Sequence, residues 1–175
     1  GANPDRIAIL DNFCVGNPEN PEELGALVET VKGIAKAAEV YQAPFVSGKD
    51  SFYNYFETSE GPVSIPVTIL ISGMGVVEEA AHVTPASLRH ADSIIAVIGA
   101  TENPLGGSVL ARKSGLHDAC VPETNLRKNL ALYRTLYDCI KCGWIQSAHD
   151  ISEGGLGVAL AEMALKGGLG AEVEG

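Results

Sequence analysis

The segment His149-Asp150-Ile151-Ser152-Glu153-Gly154-Gly155 holds the densest group of side chains able to do chemistry. A short apolar run, Trp144 to Ala148, precedes it and reads as a strand; a helical pattern, Leu156 to Leu165, follows. A helix starting there leaves its first backbone N–H groups unpaired and pointing outward. Glycines let a ligand approach that backbone closely. Asp150 adds a carboxylate, the hard oxygen donor that magnesium takes. Together these residues describe a Mg-phosphate site. The same residues also fit a plainer arrangement, in which Ser152 caps the helix and Gly154-Gly155 make a tight turn. No Walker-type G-x-x-x-x-G-K-[ST] loop is present. His149 could serve as a base, but a histidine at a strand end is more often packed or hydrogen-bonded, and it is not counted as a candidate.

Ser47-Gly48-Lys49-Asp50-Ser51 is the second candidate, read as a small polar loop. Gly48 permits an unusual backbone angle, Lys49 can neutralise a phosphate, and Asp50 and Ser51 offer oxygens; an ordinary solvated turn has the same composition. Asp11 is the third, placed just past a strand end at Arg6 to Leu10, where an Asx-turn would explain it equally. Leu105-Gly106-Gly107-Ser108 is a fourth glycine-rich stretch, for which close helix–sheet packing is a sufficient reason. The C-x-x-C of Cys139 and Cys142 lies inside a helical pattern without a second pair or a neighbouring histidine, so zinc or redox chemistry is not expected there.

The elements that must hold these groups alternate in type. Leu24, Leu27, Val28, Val31, Ile34, Ala35 and Ala38 fall on one face of a helix, with Glu22 and Glu23 in its first turn, where the dipole favours anions. Ile65 to Val77 is β-branched and reads as a long strand whose Pro66 marks an edge. Ser93 to Ile98 reads as a buried strand. Leu126, Leu130, Tyr133, Tyr137 and Ile140 mark a second amphipathic helix closed by Gly143. Strand and helix interleave, so the class is α/β or α+β. The polar stretch after Val77 predicts a division into residues 1–80, a linker at 81–92, and residues 93–175.

Bulk properties exclude several functions. The chain has 175 residues, 46% hydrophobic and 19% charged, with net charge −10. That composition supports a packed core, and the negative charge repels a phosphate backbone, so no nucleic-acid partner is expected. No run is long and apolar enough to span a bilayer, and Gly1 to Arg6 does not open a secretory signal. Four irregularly spaced cysteines suit a reducing, cytoplasmic setting.

Three of these segments, in this order, resemble one family. Asp11-Asn12-Phe13-Cys14-Val15-Gly16-Asn17-Pro18-Glu19 resembles the "D-N-x-x-x-G-N-P-E" segment of the synthetase component of phosphoribosylformylglycinamidine synthase. Ser47-Gly48-Lys49-Asp50-Ser51-Phe52-Tyr53-Asn54 resembles that family's "S-G-N-x-S-x-Y-N" loop, and Ala148 to Leu156 resembles its "H-D-x-S-[DE]-G-G-L" loop. The third is shared with the wider superfamily of aminoimidazole ribonucleotide synthetase, selenophosphate synthetase and thiamine-monophosphate kinase. The resemblance covers nearly the whole chain. It implies the end of an aminoimidazole ribonucleotide synthetase-like N-terminal domain joined to the start of its C-terminal domain, both from the family's second half, without the catalytic histidines of the first.

By resemblance, Asp11 and Gly48 contact ATP, Ser51 contacts the ribonucleotide substrate, and Asp150 and Ser152 belong to a loop that binds Mg-nucleotide. Lys49 stands where the family often has a metal-ligating asparagine, and a protonated lysine cannot ligate magnesium. The implied activity is that of an ATP-dependent ligase of purine biosynthesis, acting on formylglycinamide ribonucleotide with ATP and Mg2+. Its ammonia comes from a glutaminase subunit or domain. The segment is expected to be inactive without the rest of the synthetase chain. Two alternatives stand beside it: a nucleotide-binding module that only stabilises the fold, and another superfamily member such as thiamine-monophosphate kinase, against which the "G-N-P-E" segment argues. Exposed strand edges are expected to drive self-association.

Overall fold

The structure, a computed structural model, describes residues 1–101, 105–116 and 120–173. It divides into two compact units, Ala2–Glu78 and Glu79–Gly175, with Gly1 grouped with the latter.

The first unit is built on β1 (Ile7–Cys14), α1 (Pro21–Tyr41), β2 (Phe45–Ser51), β3 (Tyr55–Thr58), β4 (Gly61–Ser64) and β5 (Thr68–Gly75). A three-stranded sheet has the order β2-β1-β5, with β2 parallel and β5 antiparallel to β1. The parallel pair needs a crossover, and α1 supplies it. Its start follows from sequence: Asn20 accepts a hydrogen bond from the Glu22 N–H at 2.9 Å, Pro21 opens the first turn, and Glu22 and Glu23 follow. Its end is Gln42, in the left-handed region at φ 54°, whose N–H bonds back to Glu39. β3 and β4 form a separate hairpin across Ser59-Glu60, the turn expected from Ser59-Glu60-Gly61-Pro62. Phe13, Val15 and Ala43 are the buried apolar residues of this unit.

Two readings change here. β1 does not stop before Asp11 but runs on to Cys14, and Ser47 to Ser51 is not a loop but the second half of β2. Asp, Asn, Gly and Ser are poor strand formers alone. The ladder to two neighbours on β1, and the β1 carbonyls facing β2, supply what propensity lacks.

The second unit contains a 3₁₀ turn at Ala80–His82, a short α2 (Val109–Lys113), α3 (Leu126–Lys141) and α4 (Gly155–Gly167). Ser108 caps α2 through Ala111 N–H, and Asn125 caps α3 through Lys128 N–H, each at 3.0 Å. α3 closes as a Schellman turn: Trp144 N–H bonds Cys139 C=O and Gly143 N–H bonds Ile140 C=O. Ala111, Ile140 and Ala159 are buried. The expected strands at Ser93 to Ile98 and Trp144 to Ala148 are not formed, and among the described residues this unit contains no strand. A β-branched run needs a partner ladder; without one, Ile94 is 95% exposed and Trp144 is 74% exposed. The 144–148 segment instead packs through single bonds, Ala148 N–H to Pro85 C=O at 3.0 Å and Ser147 Oγ to Ser87 C=O at 2.6 Å. All four cysteines are free thiols.

The outer edges of β2 and β5 pair with no other strand among the described residues, and Leu24, Val28 and Val31 of α1 are exposed. Free ladder edges beside apolar surface favour association. Sedimentation velocity at rising concentration is expected to show the chain self-associating; one monomeric boundary throughout the series would contradict this.

Candidate functional site

Each unit holds one group of candidate residues. In the first, the parallel register sets Asp11 opposite Gly48, Asn12 opposite Lys49 and Cys14 opposite Ser51. Paired residues point to the same face, so Asp11 shares its face with position 48. A Cβ built on Gly48 would stand 2.9 Å from Asp11 Cγ and closer still to Oδ1. No left-handed backbone angle is involved, contrary to the sequence reading; a side chain at 48 would have to displace the end of the Asp11 side chain. Ser51, at the end of β2, accepts a hydrogen bond from the Lys49 ammonium. Lys49 is thus turned along its own strand toward the expected substrate-contacting hydroxyl, on the face opposite Asp11.

The two most distinctive motifs are tied together just beyond this register. Val15 is fully buried, and its N–H bonds Ser51 C=O at 2.9 Å. Asn54 closes the junction: its amide Nδ2 donates to Val15 C=O at 3.0 Å and to Ser51 C=O at 2.9 Å, while its backbone N–H also reaches Val15 C=O. Tyr53, between them, has φ 60° and bonds Gly16 C=O through its N–H. A bulky residue held in the left-handed region is strained and marks functional loops. Sequence reading missed Asn54 as a clamp and Tyr53 as a strained position; their place inside the quoted motif was the available signal. Glu23 Oε2, packed against Gly16, is a buried oxygen with no hydrogen-bond partner.

In the second unit the His149–Gly155 segment does turn into a helix, α4. The cap is Gly154 and not Ser152: Gly154 has φ 88°, no side chain caps the helix, and Gly155 follows at φ 69°. Two successive left-handed residues need glycine, and a Cβ on Gly154 would also meet Val158 Cβ at 2.7 Å. Ser152 is freed for another partner. A hydrogen bond from it, then one from His149 and one from the backbone N–H, hold the Asp150 carboxyl below its ordinary range. His149 Nδ1 lies 3.0 Å from Asp150 Oδ1 and Nε2 lies 2.7 Å from Glu162 Oε2 on α4. Those bonds, Glu162 first, raise the His149 pKa. Glu162 is held low by His149 and then by Lys166, whose Nζ is 3.7 Å away.

The donor set at Asp150 fits one class of metal. Among the described residues no three His, Cys, Asp or Glu side chains gather as a metal cage. A single exposed carboxylate, four residues ahead of the Gly154 cap in a loop that leads into a helix no side chain caps, suits magnesium, which keeps waters and shares its shell with phosphate oxygens.

Comparison with known proteins agrees with this layout. The family model "AIR synthase related protein, N-terminal domain" matches residues 1–77, and "AIR synthase related protein, C-terminal domain" matches residues 91–174. The chain belongs to the AIR synthase related family. Relatives named phosphoribosylformylglycinamidine synthase subunit PurL come from Thermococcus sibiricus, 35% identical over 99% of this chain, from Methylocella silvestris, 39% over 95%, and from Methanocaldococcus jannaschii, 35% over 99%. The chain spans 23%, 22% and 24% of the lengths of these relatives. The resemblance drawn from the three motifs, and the join of N-terminal-type to C-terminal-type family sequence, are thereby borne out. None of the described helices is long and apolar enough to cross a membrane.

Two outcomes are expected. Gly48→Ala should cost about 1–3 kcal/mol as an overpacked contact, and Asp11→Ala in the same chain should recover most of it, read by urea unfolding; additive losses would dissociate the two positions. His149 should titrate above its ordinary 6.5 in metal-free protein, followed through its ring protons, and Glu162→Gln should lower the midpoint. The sign follows: the histidine contribution to stability is full below 6.5 and fades as pH rises through the raised value. The Glu162 contribution is full above its ordinary 4.5 and fades as pH falls through its lowered value. The cluster is strongest between them.

Proposed function

We propose that this chain is a segment of an ATP-dependent carbon–nitrogen ligase of purine biosynthesis, a phosphoribosylformylglycinamidine synthase, inactive without the rest of the synthetase. The observation that carries this is 35–39% identity along 95–99% of the chain to relatives bearing that name. In the reaction the amide oxygen of formylglycinamide ribonucleotide takes the γ-phosphoryl group of ATP. Ammonia from a glutaminase partner adds to the same carbon, phosphate leaves, and an amidine remains. Magnesium, when bound, offsets phosphoryl charge. The setting is cytoplasmic.

The residues divide that work. Asp11, with the open backbone of Gly48 beside it, contacts ATP. Ser51, oriented by Lys49, contacts the ribonucleotide. Asp150 ligates magnesium, and Ser152 holds the Asp150 carboxylate and lies beside the uncapped start of α4, where phosphate oxygens find N–H donors. The division at residues 81–92 separates the two domains.

A second reading has support of its own: Lys49, protonated and bonded to Ser51, offers no metal ligand on β2. The nucleotide would then be held in the second half to stabilise the fold without turnover.

Calorimetry of the chain with Mg-ATP and Mg-ADP is expected to show binding that Asp150→Ala removes. In the full-length protein, Asp11→Ala should abolish ammonia-dependent amidine formation; retained turnover with a lowered melting temperature would favour the structural nucleotide instead.

A further inference from the structure

His149 was set aside on sequence grounds, yet its ring occupies the best-connected position in the second unit. It is 14% exposed, while the carboxylates on its two nitrogens are 79% exposed at Asp150 and 48% at Glu162. The contacts run in opposite directions, Nδ1 to the loop at 3.0 Å and Nε2 to the second half of α4 at 2.7 Å. Glu162 is itself held from the next turn by Lys166 at 3.7 Å. Between loop and helix stand the two left-handed glycines, where the chain has least intrinsic stiffness. Besides His149, the groups that hold the Asp150 carboxyl low are Ser152 and the Asp150 backbone N–H, both on the same short loop.

We propose that His149 is a positioning residue, which with Glu162 anchors the Asp150 carboxylate to α4 and so presets it for a divalent cation. This rests on the reading of Asp150 as the magnesium ligand. The ring engages Oδ1, and an ionised carboxylate has further lone-pair sites for a cation. A ligating carboxylate is characteristically held by outer hydrogen bonds, and loss of such a partner weakens metal binding about 10–100-fold. Glu162 touches no cation in this arrangement; it acts through the ring.

Mn2+ serves as the probe, its binding to the chain with ADP read by electron paramagnetic resonance, on variants shown folded by circular dichroism. His149→Ala and Glu162→Ala are each expected to weaken binding about 10–100-fold. The double variant should be no weaker than either single one. Glu162→Gln, whose amide can pair with Nε2 of either ring form while Nδ1–H stays on Asp150, should restore most of the affinity. If Asp150→Ala removes binding while Glu162→Ala stays within about twofold of the parent, the positioning role is overturned and the metal reading stands. If Asp150→Ala leaves binding intact, the metal reading itself fails. A second measurement needs no metal: the Asp150 side-chain carboxyl carbon resonance should shift in Glu162→Ala, and its constancy would overturn the link whatever the cation does.

Discussion

A side chain at position 48 would meet the Asp11 carboxylate, and the pairing of β1 with β2 is what brings the two positions together. β1 and β2 are parallel, and a register shift between Ile9 and Leu10 is what sets Asp11 opposite Gly48. A parallel pair requires a crossover, so α1 and both of its ends follow from the same demand. A slip of one residue would send Asp11 to the other face and bring Asn12 over Gly48. The register is pinned at its far end by Asn54, which holds the carbonyls of Val15 and Ser51 at once. Two motifs with 27 residues between them are therefore one object: the first supplies the carboxylate strand, the second supplies the gap and the clamp.

Legibility in the sequence followed the source of each element's stability. Helices α1, α3 and α4 were readable because their information is local: Glu22 and Glu23 sit in the first turn of α1, Gly143 ends α3, and apolar steps of three and four fill the interior. The short α2 was not read, though Ser108 caps it. The β3–β4 turn was readable for the same reason. Strands drawn from propensity went wrong in both directions. Asp11 and Asn12, and Ser47 to Ser51, looked like turns but are strand, because cross-strand bonds outweigh a propensity range of about 1 kcal/mol. Ile94, Ile95, Val97 and Ile98 looked like strand but have no ladder to join.

The candidate site was legible as a set of motifs and not as a geometry. Resemblance to the family's motifs put forward Asp11, Gly48, Ser51, Asp150 and Ser152, but no local rule shows that a side chain at 48 would meet Asp11. Ser152 illustrates the opposite error. A serine just before a helix reads as its cap, yet the glycine pair makes the turn without it and its hydroxyl serves Asp150. Positions where local rules and structure disagree are those where a side chain has work other than folding.

The same logic separates His149 from an ordinary packed histidine. A structural histidine needs one satisfied donor and one satisfied acceptor, and backbone groups usually provide them. Here both nitrogens meet carboxylates, which is consistent with two donors and therefore with an imidazolium. A histidine between carboxylates this exposed, 79% at Asp150 and 48% at Glu162, is a poor device for stability alone, because solvent screens most of the attraction. What it does well is fix geometry, since each partner is held at a definite distance by a rigid ring. In a loop whose other groups on Asp150 are its own backbone N–H and a neighbouring serine, and whose backbone turns through two glycines, the ring ties the carboxylate to a helix.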